Sequence, residues 1–139
     1  MFRSVGVIPY FGQKILIQKR DFKKKIYYPG FWGLFSGKVK RRETYKLAAL
    51  REFKEETNLH LTNLKRVLKI KINFDFFDKK KRERVYFITK LDIDWKKKFF
   101  LKEGKNFKLT YPRYLFNLKF VPIDLFIVLY ILYRKKIRF

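Results

Sequence analysis

Cysteine is absent from this 139-residue chain, which excludes disulfides, thiolate metal sites and a cysteine nucleophile and leaves the redox compartment open. Histidine occurs once, at His60, and a lone His with no second His or Cys to share a metal is a poor ligand and cannot anchor a Ser-His-Asp set. No apolar run reaches the ~20 residues a membrane-spanning helix needs. The strongest candidate, Phe120 to Tyr133, is interrupted by Pro122 and Asp124 and reads as a buried helix. The N-terminus, Met1-Phe-Arg-Ser-Val-Gly-Val-Ile-Pro-Tyr10, lacks the basic stretch, long apolar stretch and small-residue cleavage site of a leader peptide, so a cytoplasmic location is expected. Repeats and flexible linkers are also missing.

What is present bounds the rest. Hydrophobic residues make up 47% and aromatics 20%, enough for a core and against disorder despite the charge. The length suits one domain over residues 1–139, large enough to bury roughly two-thirds of its unfolded surface.

Acidic residues are scarce, 12 against 36 Lys and Arg, for a formal net charge of +24. Such a charge invites a nucleic-acid partner, because Lys and Arg neutralise phosphates. The basic runs, however, are spread from Lys23-Lys-Lys25 through Lys79-Lys-Lys-Arg82 and Lys96-Lys-Lys98 to Arg134-Lys-Lys136. A solvated surface biased by AT-rich codons, which also favour Ile, Phe, Tyr and Asn, accounts for that dispersion. Steering of anionic substrates follows on either reading.

Against this background four of the twelve acidic residues, Glu43, Glu52, Glu55 and Glu56, fall between positions 43 and 56. A helix-compatible run extends from Thr44 to Thr57, and on it Glu52, Glu55 and Glu56 stand at i, i+3 and i+4, on one face. Like charges so placed repel by about 0.2 to 0.5 kcal/mol per pair. The compensation their spacing points to is a cation held between them. Hard divalent ions suit it, and Mg²⁺ takes one or two carboxylates together with waters and phosphate oxygens.

Gly37, Glu43, Arg51, Glu52, Phe53, Glu55, Glu56 and Leu59 fill the places of the Nudix box, and the segment resembles that of the Nudix (MutT-like) hydrolases. One position departs, Asn58 standing where the family has glycine. That residue would close the helix in left-handed conformation, which Asn tolerates best after Gly. The approach, Tyr28-Pro-Gly-Phe-Trp-Gly-Leu-Phe-Ser-Gly37, also looks like the family's, with Ser36 replacing the first glycine of a pair. A negative φ there lets Ser keep the turn tight, and a positive φ implies strain.

The resemblance implies an α+β Nudix fold, an α/β/α sandwich with a central mixed sheet. It implies Mg²⁺ as cofactor, with Mn²⁺ a substitute, held by Glu52, Glu55, Glu56 and the Gly37 carbonyl, and Glu52 as the base or water positioner. Glu43 and Arg51 would stand behind these, holding the loop and orienting Glu52, a role compatible with plain salt bridging. Glu103, in Glu103-Gly104, resembles a loop carboxylate that adds a ligand or base, with an ordinary turn as the alternative. Arg20 is placed like a phosphate-contacting Arg, and its planar fork suits phosphate oxygens, with a surface Arg as the plain reading. Trp32, Phe31, Tyr86 and Phe87 are candidates to stack on a nucleobase, with core packing the competing role; Trp32 is the one preferred for substrate binding.

Along the chain, Val5–Tyr10 and Lys14–Arg20 read as a hairpin turned at Phe11-Gly12, and Lys23–Tyr28 as a basic loop. Phe31–Ser36 reads as a short strand, and Leu64–Phe77 with Arg84–Ile93 as a second hairpin whose tip is Asp78–Glu83. Pro122 opens a terminal helix through Tyr133. Because Leu125–Tyr133 is apolar all round, one of its faces could pack against a second subunit, so a homodimer is compatible with the sequence.

The first functional expectation is a Mg²⁺-dependent hydrolase cleaving a diphosphate linkage of a nucleoside diphosphate derivative, such as a nucleoside triphosphate or a nucleotide sugar. ADP-ribose is disfavoured: Asn73-Phe-Asp-Phe76 stands where many ADP-ribose-specific members have a proline. The alternatives are pyrophosphohydrolysis at an RNA 5′ end and a catalytically silent, basic nucleic-acid-binding scaffold. Three intact and mutually repelling carboxylates argue against the silent scaffold.

Overall fold

A computed structural model describes residues 1–22, 28–73, 81–101 and 106–134. The expected basic loop from Lys23, the tip of the second hairpin, the Phe74–Phe76 stretch and Glu103-Gly104 fall wholly or largely outside the described residues.

β1 (Phe2–Phe11) and β2 (Lys14–Lys19) form the first hairpin, and Gly12 in its turn has φ +61 in open space. The two strands pair only beside that turn, Tyr10 with Ile15 and Phe11 with Lys14. Beyond it the sheet forks. β1 takes up β4 (Phe35–Lys38) antiparallel on one side and β6 (Lys81–Lys90) parallel on the other. β2 takes up β3 (Trp32–Gly33) and β7 (Asn106–Thr110), both antiparallel. β5 (Lys65–Asn73) completes the sheet along β6, in the second expected hairpin.

Helices cover both faces, the sandwich expected from the sequence. On one face α1 (Tyr45–Thr57) and α2 (Trp95–Lys98) close a core of Val5, Val7, Leu16, Phe35, Phe53, Val85 and Phe87. On the other α3 (Pro122–Tyr133) and a 3-10 helix (Pro112–Asn117) close a core of Ile8, Ile15, Ile17, Leu34, Tyr86 and Leu115. β1 is buried on both faces from Ser4 to Pro9 because it lies in the centre of the sheet. Gly6 is needed there, since a Cβ would stand 2.6 Å from the Tyr86 ring.

α1 begins where its cap predicts: the Thr44 hydroxyl accepts from the Leu47 N–H at 3.1 Å. It ends at Asn58, left-handed at φ 63, whose N–H returns to the Lys54 carbonyl at 2.8 Å and whose side-chain amide donates to Lys98 O at 3.2 Å. Asn therefore does the terminating work of the family's glycine and also ties α1 to α2. Ser36 is not among the residues with positive φ, so its replacement of glycine carries no strain.

The expected single strand Phe31–Ser36 is two strands, interrupted at Leu34. The Leu34 N–H donates at 3.1 Å to the buried Asp124 carboxylate instead of to a ladder, and the chain crosses there from β2 to β1. The last strand of the second hairpin is also displaced from Arg84–Ile93 to Lys81–Lys90, leaving Ile93 almost fully exposed. α3 opens at Pro122 as expected, with Ile127, Val128 and Ile131 inward and Phe126 and Tyr133 outward. No helix among the described residues is long and apolar enough to cross a membrane.

Asp124 also accepts from the Tyr86 hydroxyl at 3.2 Å and lies 3.7 Å from the Arg84 guanidinium, which itself donates to the Ser4 hydroxyl at 2.9 Å. Burial and the neighbouring Asp124 charge push the Tyr86 phenol above its ordinary range, so it stays a donor. Removing the carboxylate strands a buried N–H, a buried O–H and a guanidinium. Asp124→Ala is therefore expected to lower unfolding free energy by about 2 to 3 kcal/mol, read from urea denaturation; a loss below about 0.5 kcal/mol would show that the network does not pin α3.

Candidate active site

The turn between β4 and α1 carries the acidic cluster, and Arg51 organises it. Its guanidinium grips Glu43 through both oxygens, Nε to Oε2 at 2.7 Å and Nη2 to Oε1 at 2.8 Å. Nη2 also donates to the Lys38 carbonyl at 2.9 Å, while Nη1 reaches Glu52 Oε1 at 2.8 Å and Glu55 Oε2 at 3.3 Å. One cation thus ties the end of β4, the loop and two helix carboxylates. Fork-to-carboxylate bonding of this kind is geometry that Lys cannot supply. The Lys40 N–H adds a bond to Glu43 Oε1 at 3.0 Å. The Arg51 hydrogen bond above all, with the Lys40 N–H beside it, holds the Glu43 carboxyl down at about 2 from 4.5, although burial pushes it the other way. Arg51 in turn is pushed above its already high range by Glu43 and Glu52.

Glu52 lies across Gly37 so closely that a Cβ on residue 37 would overlap its carboxylate. That contact explains the glycine by close approach: its φ is not in the left-handed range. Glu56 turns inward, 3% exposed, and accepts from Gln18 Nε2 of β2 at 3.3 Å.

The box residues Gly37, Glu43, Arg51, Glu52 and Glu55 are therefore brought together, and Glu56 borders them on the inner side. Part of the compensation for the repelling carboxylates is internal, since Arg51 stands between Glu52 and Glu55. Among the described residues no three acidic or histidine side chains converge tightly enough to close round one ion in this arrangement. The donor chemistry nevertheless fits a hard divalent cation. Every candidate ligand is an oxygen, Gly37 leaves its backbone open to Glu52, and Gln18, which donates to Glu56, has its buried amide oxygen Oε1 without a partner among the described residues.

The remaining expectations divide. Arg20 follows β2 directly, and its N–H donates to Phe31 O at 2.7 Å, closing the neck of the loop before the site. Trp32 sits on β3, half-buried against the α3-side core and bridged to Phe120, on the face away from α1. Tyr86 and Phe87 are buried core residues, which corrects their candidacy as stacking platforms: both belong to the strand that the two cores share. His60 is exposed beyond α1, and Glu103 lies outside the described residues. Gln18 was missed. Its one signal was a polar residue at the end of the apolar run Ile15-Leu-Ile17, where alternation turns it towards α1.

The description of the NUDIX domain matches residues 1–126. The chain belongs to the Nudix family. Members of that family are generally pyrophosphohydrolases. Solved structures share the fold at low identity. A MutT protein from Methanosarcina mazei Go1 superposes with a TM-score of 0.70 at 19% identity, covering 88% of this chain and 86% of that one. The E. coli dihydroneopterin triphosphate pyrophosphohydrolase gives 0.67 at 20%, covering 88% and 89%. The NUDIX domain of Shewanella oneidensis NrtR, complexed with ADP ribose, gives 0.74 at 13%, covering 92% and 84%. No curated protein matches the chain significantly.

The depressed Glu43 titration fixes the sign of a pH effect. A carboxyl lowered from 4.5 to about 2 stabilises the fold above 4.5, and the contribution drains away as pH falls towards 2. Glu43→Gln is expected to cost about 1 to 2 kcal/mol at neutral pH, with the gap to wild type closing over that acid window in denaturation curves. A gap that stayed constant down to the acid end would contradict the Arg51 pairing.

Proposed function

We propose that this Nudix protein is a Mg²⁺-dependent hydrolase that cleaves a diphosphate linkage in a nucleoside diphosphate derivative, a nucleoside triphosphate or a nucleotide sugar. The observation that carries this is the disposition of Glu52, held at one oxygen by Arg51 and laid against the Gly37 backbone on the other side. Glu52, Glu55, Glu56 and the Gly37 carbonyl would hold the cation. When bound, Mg²⁺ or Mn²⁺ supplies neutralisation of phosphate charge and a lowered pKa for water.

The chain's own residues do the rest. Arg51 fixes the rotamer of Glu52, so Glu52 is poised to orient a water and take its proton. Glu43 is Arg51's permanent counter-charge, which keeps the guanidinium from swinging into the substrate's phosphates. Arg20 would bind a phosphate oxygen, and Glu103 would add a carboxylate. The surplus of Lys and Arg draws anionic substrates in. The ligands in the relatives' names, dihydroneopterin triphosphate and ADP ribose, share a phosphoanhydride and differ in the organic part, which supports the linkage more than any one organic group.

A panel assay with Mg²⁺ tests the reading: nucleoside triphosphates, nucleotide sugars, ADP-ribose, dinucleoside polyphosphates and 5′-triphosphorylated RNA, with products identified. Preference for the RNA end at physiological salt would move the substrate from small nucleotide to nucleic acid. On the best substrate, Glu52→Gln is expected to lower kcat by at least about three decades, some 4 kcal/mol of transition-state stabilisation, while the exposed Lys54→Gln leaves it near wild type. A near-wild-type rate for Glu52→Gln sinks the assignment.

Metal binding has its own readout. A cation that binds only the folded chain adds RT ln(1 + [L]/Kd), so Tm should rise in millimolar Mg²⁺ or Mn²⁺ relative to EDTA. In Glu55→Gln/Glu56→Gln that metal-induced rise should disappear; an undiminished rise means the ion binds elsewhere.

A further inference from the structure

Gln18 is 7% exposed, in a strand whose preceding residues Ile15, Leu16 and Ile17 are all buried and apolar. Its Nε2 lies 3.3 Å from Glu56 Oε2 and 3.5 Å from the Leu34 carbonyl. Two acceptors on one side fix the amide's orientation, because exchanging its O and N would set oxygen against oxygen twice. Oε1 is thereby committed to the other fork, where it is buried without a hydrogen-bond partner among the described residues. A buried acceptor left unsatisfied is unfavourable, and Met or Leu would fill the same volume without one. An acceptor kept in that state on an amide that donates to a buried carboxylate implies a donor that arrives with a ligand.

The residue type narrows the ligand. A Lys here would neutralise Glu56 and compete with a cation, and a second carboxylate would repel it. A neutral amide does neither: it donates to one Glu56 oxygen and leaves the carboxylate's charge for something else. A hydrated divalent cation brings both a charge for Glu56 and water O–H donors for Oε1, as the groups behind metal ligands commonly do.

We propose that Gln18 is a positioning residue of the cation site, holding Glu56 through Nε2 and accepting through Oε1 a hydrogen bond from a water carried by the cation. This rests on the reading of Glu56 as a cation ligand.

The test uses the full chain, without substrate. Mn²⁺ affinity is measured by calorimetry on wild type and on Gln18→Met, which keeps length and volume but neither donates nor accepts strongly, alongside Tm in EDTA. Gln18→Met is expected to fold but to melt lower than wild type in EDTA, because the Leu34 carbonyl and Glu56 lose their donor, and to bind Mn²⁺ at least about tenfold more weakly in its folded state. Gln18→Leu is read the same way should the Met variant fail to fold. Mn²⁺ binding within twofold of wild type in a folded variant overturns the role of Gln18 and leaves the proposed function standing. If wild type itself binds no Mn²⁺, both fall together.

Discussion

The clasp of Arg51 on Glu43 is the constraint on which the site depends. It joins an α1 side chain to the loop that precedes the helix, and through the Lys38 carbonyl to the end of β4. A helix capped by Thr44 could otherwise pivot on its apolar face, since Ala48, Ala49 and Phe53 offer packing without direction. The charge-assisted fork supplies the direction. It also sets the rotamer of Glu52, whose proximity to Gly37 leaves no room for any side chain at that position.

Leu34 shows how the two faces of the sheet are coupled. The chain changes partner strands here, so its backbone groups cannot both enter a ladder. Its N–H is taken by Asp124 from the α3 side, and its carbonyl accepts from Gln18 on the α1 side. Two buried polar side chains, one from each core, thus satisfy a crossover that would otherwise leave unpaired groups. The crossover delivers the run Phe35-Ser-Gly37 to β1 in the register that sets Gly37 opposite Val5 and beneath Glu52. Structural polarity and site geometry are here the same bonds.

Charge operates at two ranges in this molecule. The local range is the cluster, where one guanidinium offsets three carboxylates and a residual negative charge remains for a cation. The long range is the +24 surface, which raises the local concentration of anions without selecting among them. The combination suits the proposed reaction, in which a divalent cation and a phosphoanhydride would be brought together.

Much of the local structure follows from sequence alone, because its causes lie within a few residues. Thr44 and Asn58 bracket α1 by capping and left-handed backbone, Pro122 starts α3, and the spacing of Gly37, Glu43, Arg51 and the three glutamates marks the family and its box. Tertiary structure decided what depends on partners far along the chain. The break at Leu34 needs Asp124, ninety residues on; Gln18 meets Glu56 only because β2 leaves β1 after the hairpin turn; and Trp32 joins the α3-side core through Phe120. The spacing of the glutamates shows that they share a helix face and repel, which is a local fact. That Arg51 lies between two of them, while the third turns inward to an amide, depends on how a strand, a loop and a helix pack, and no local periodicity encodes that.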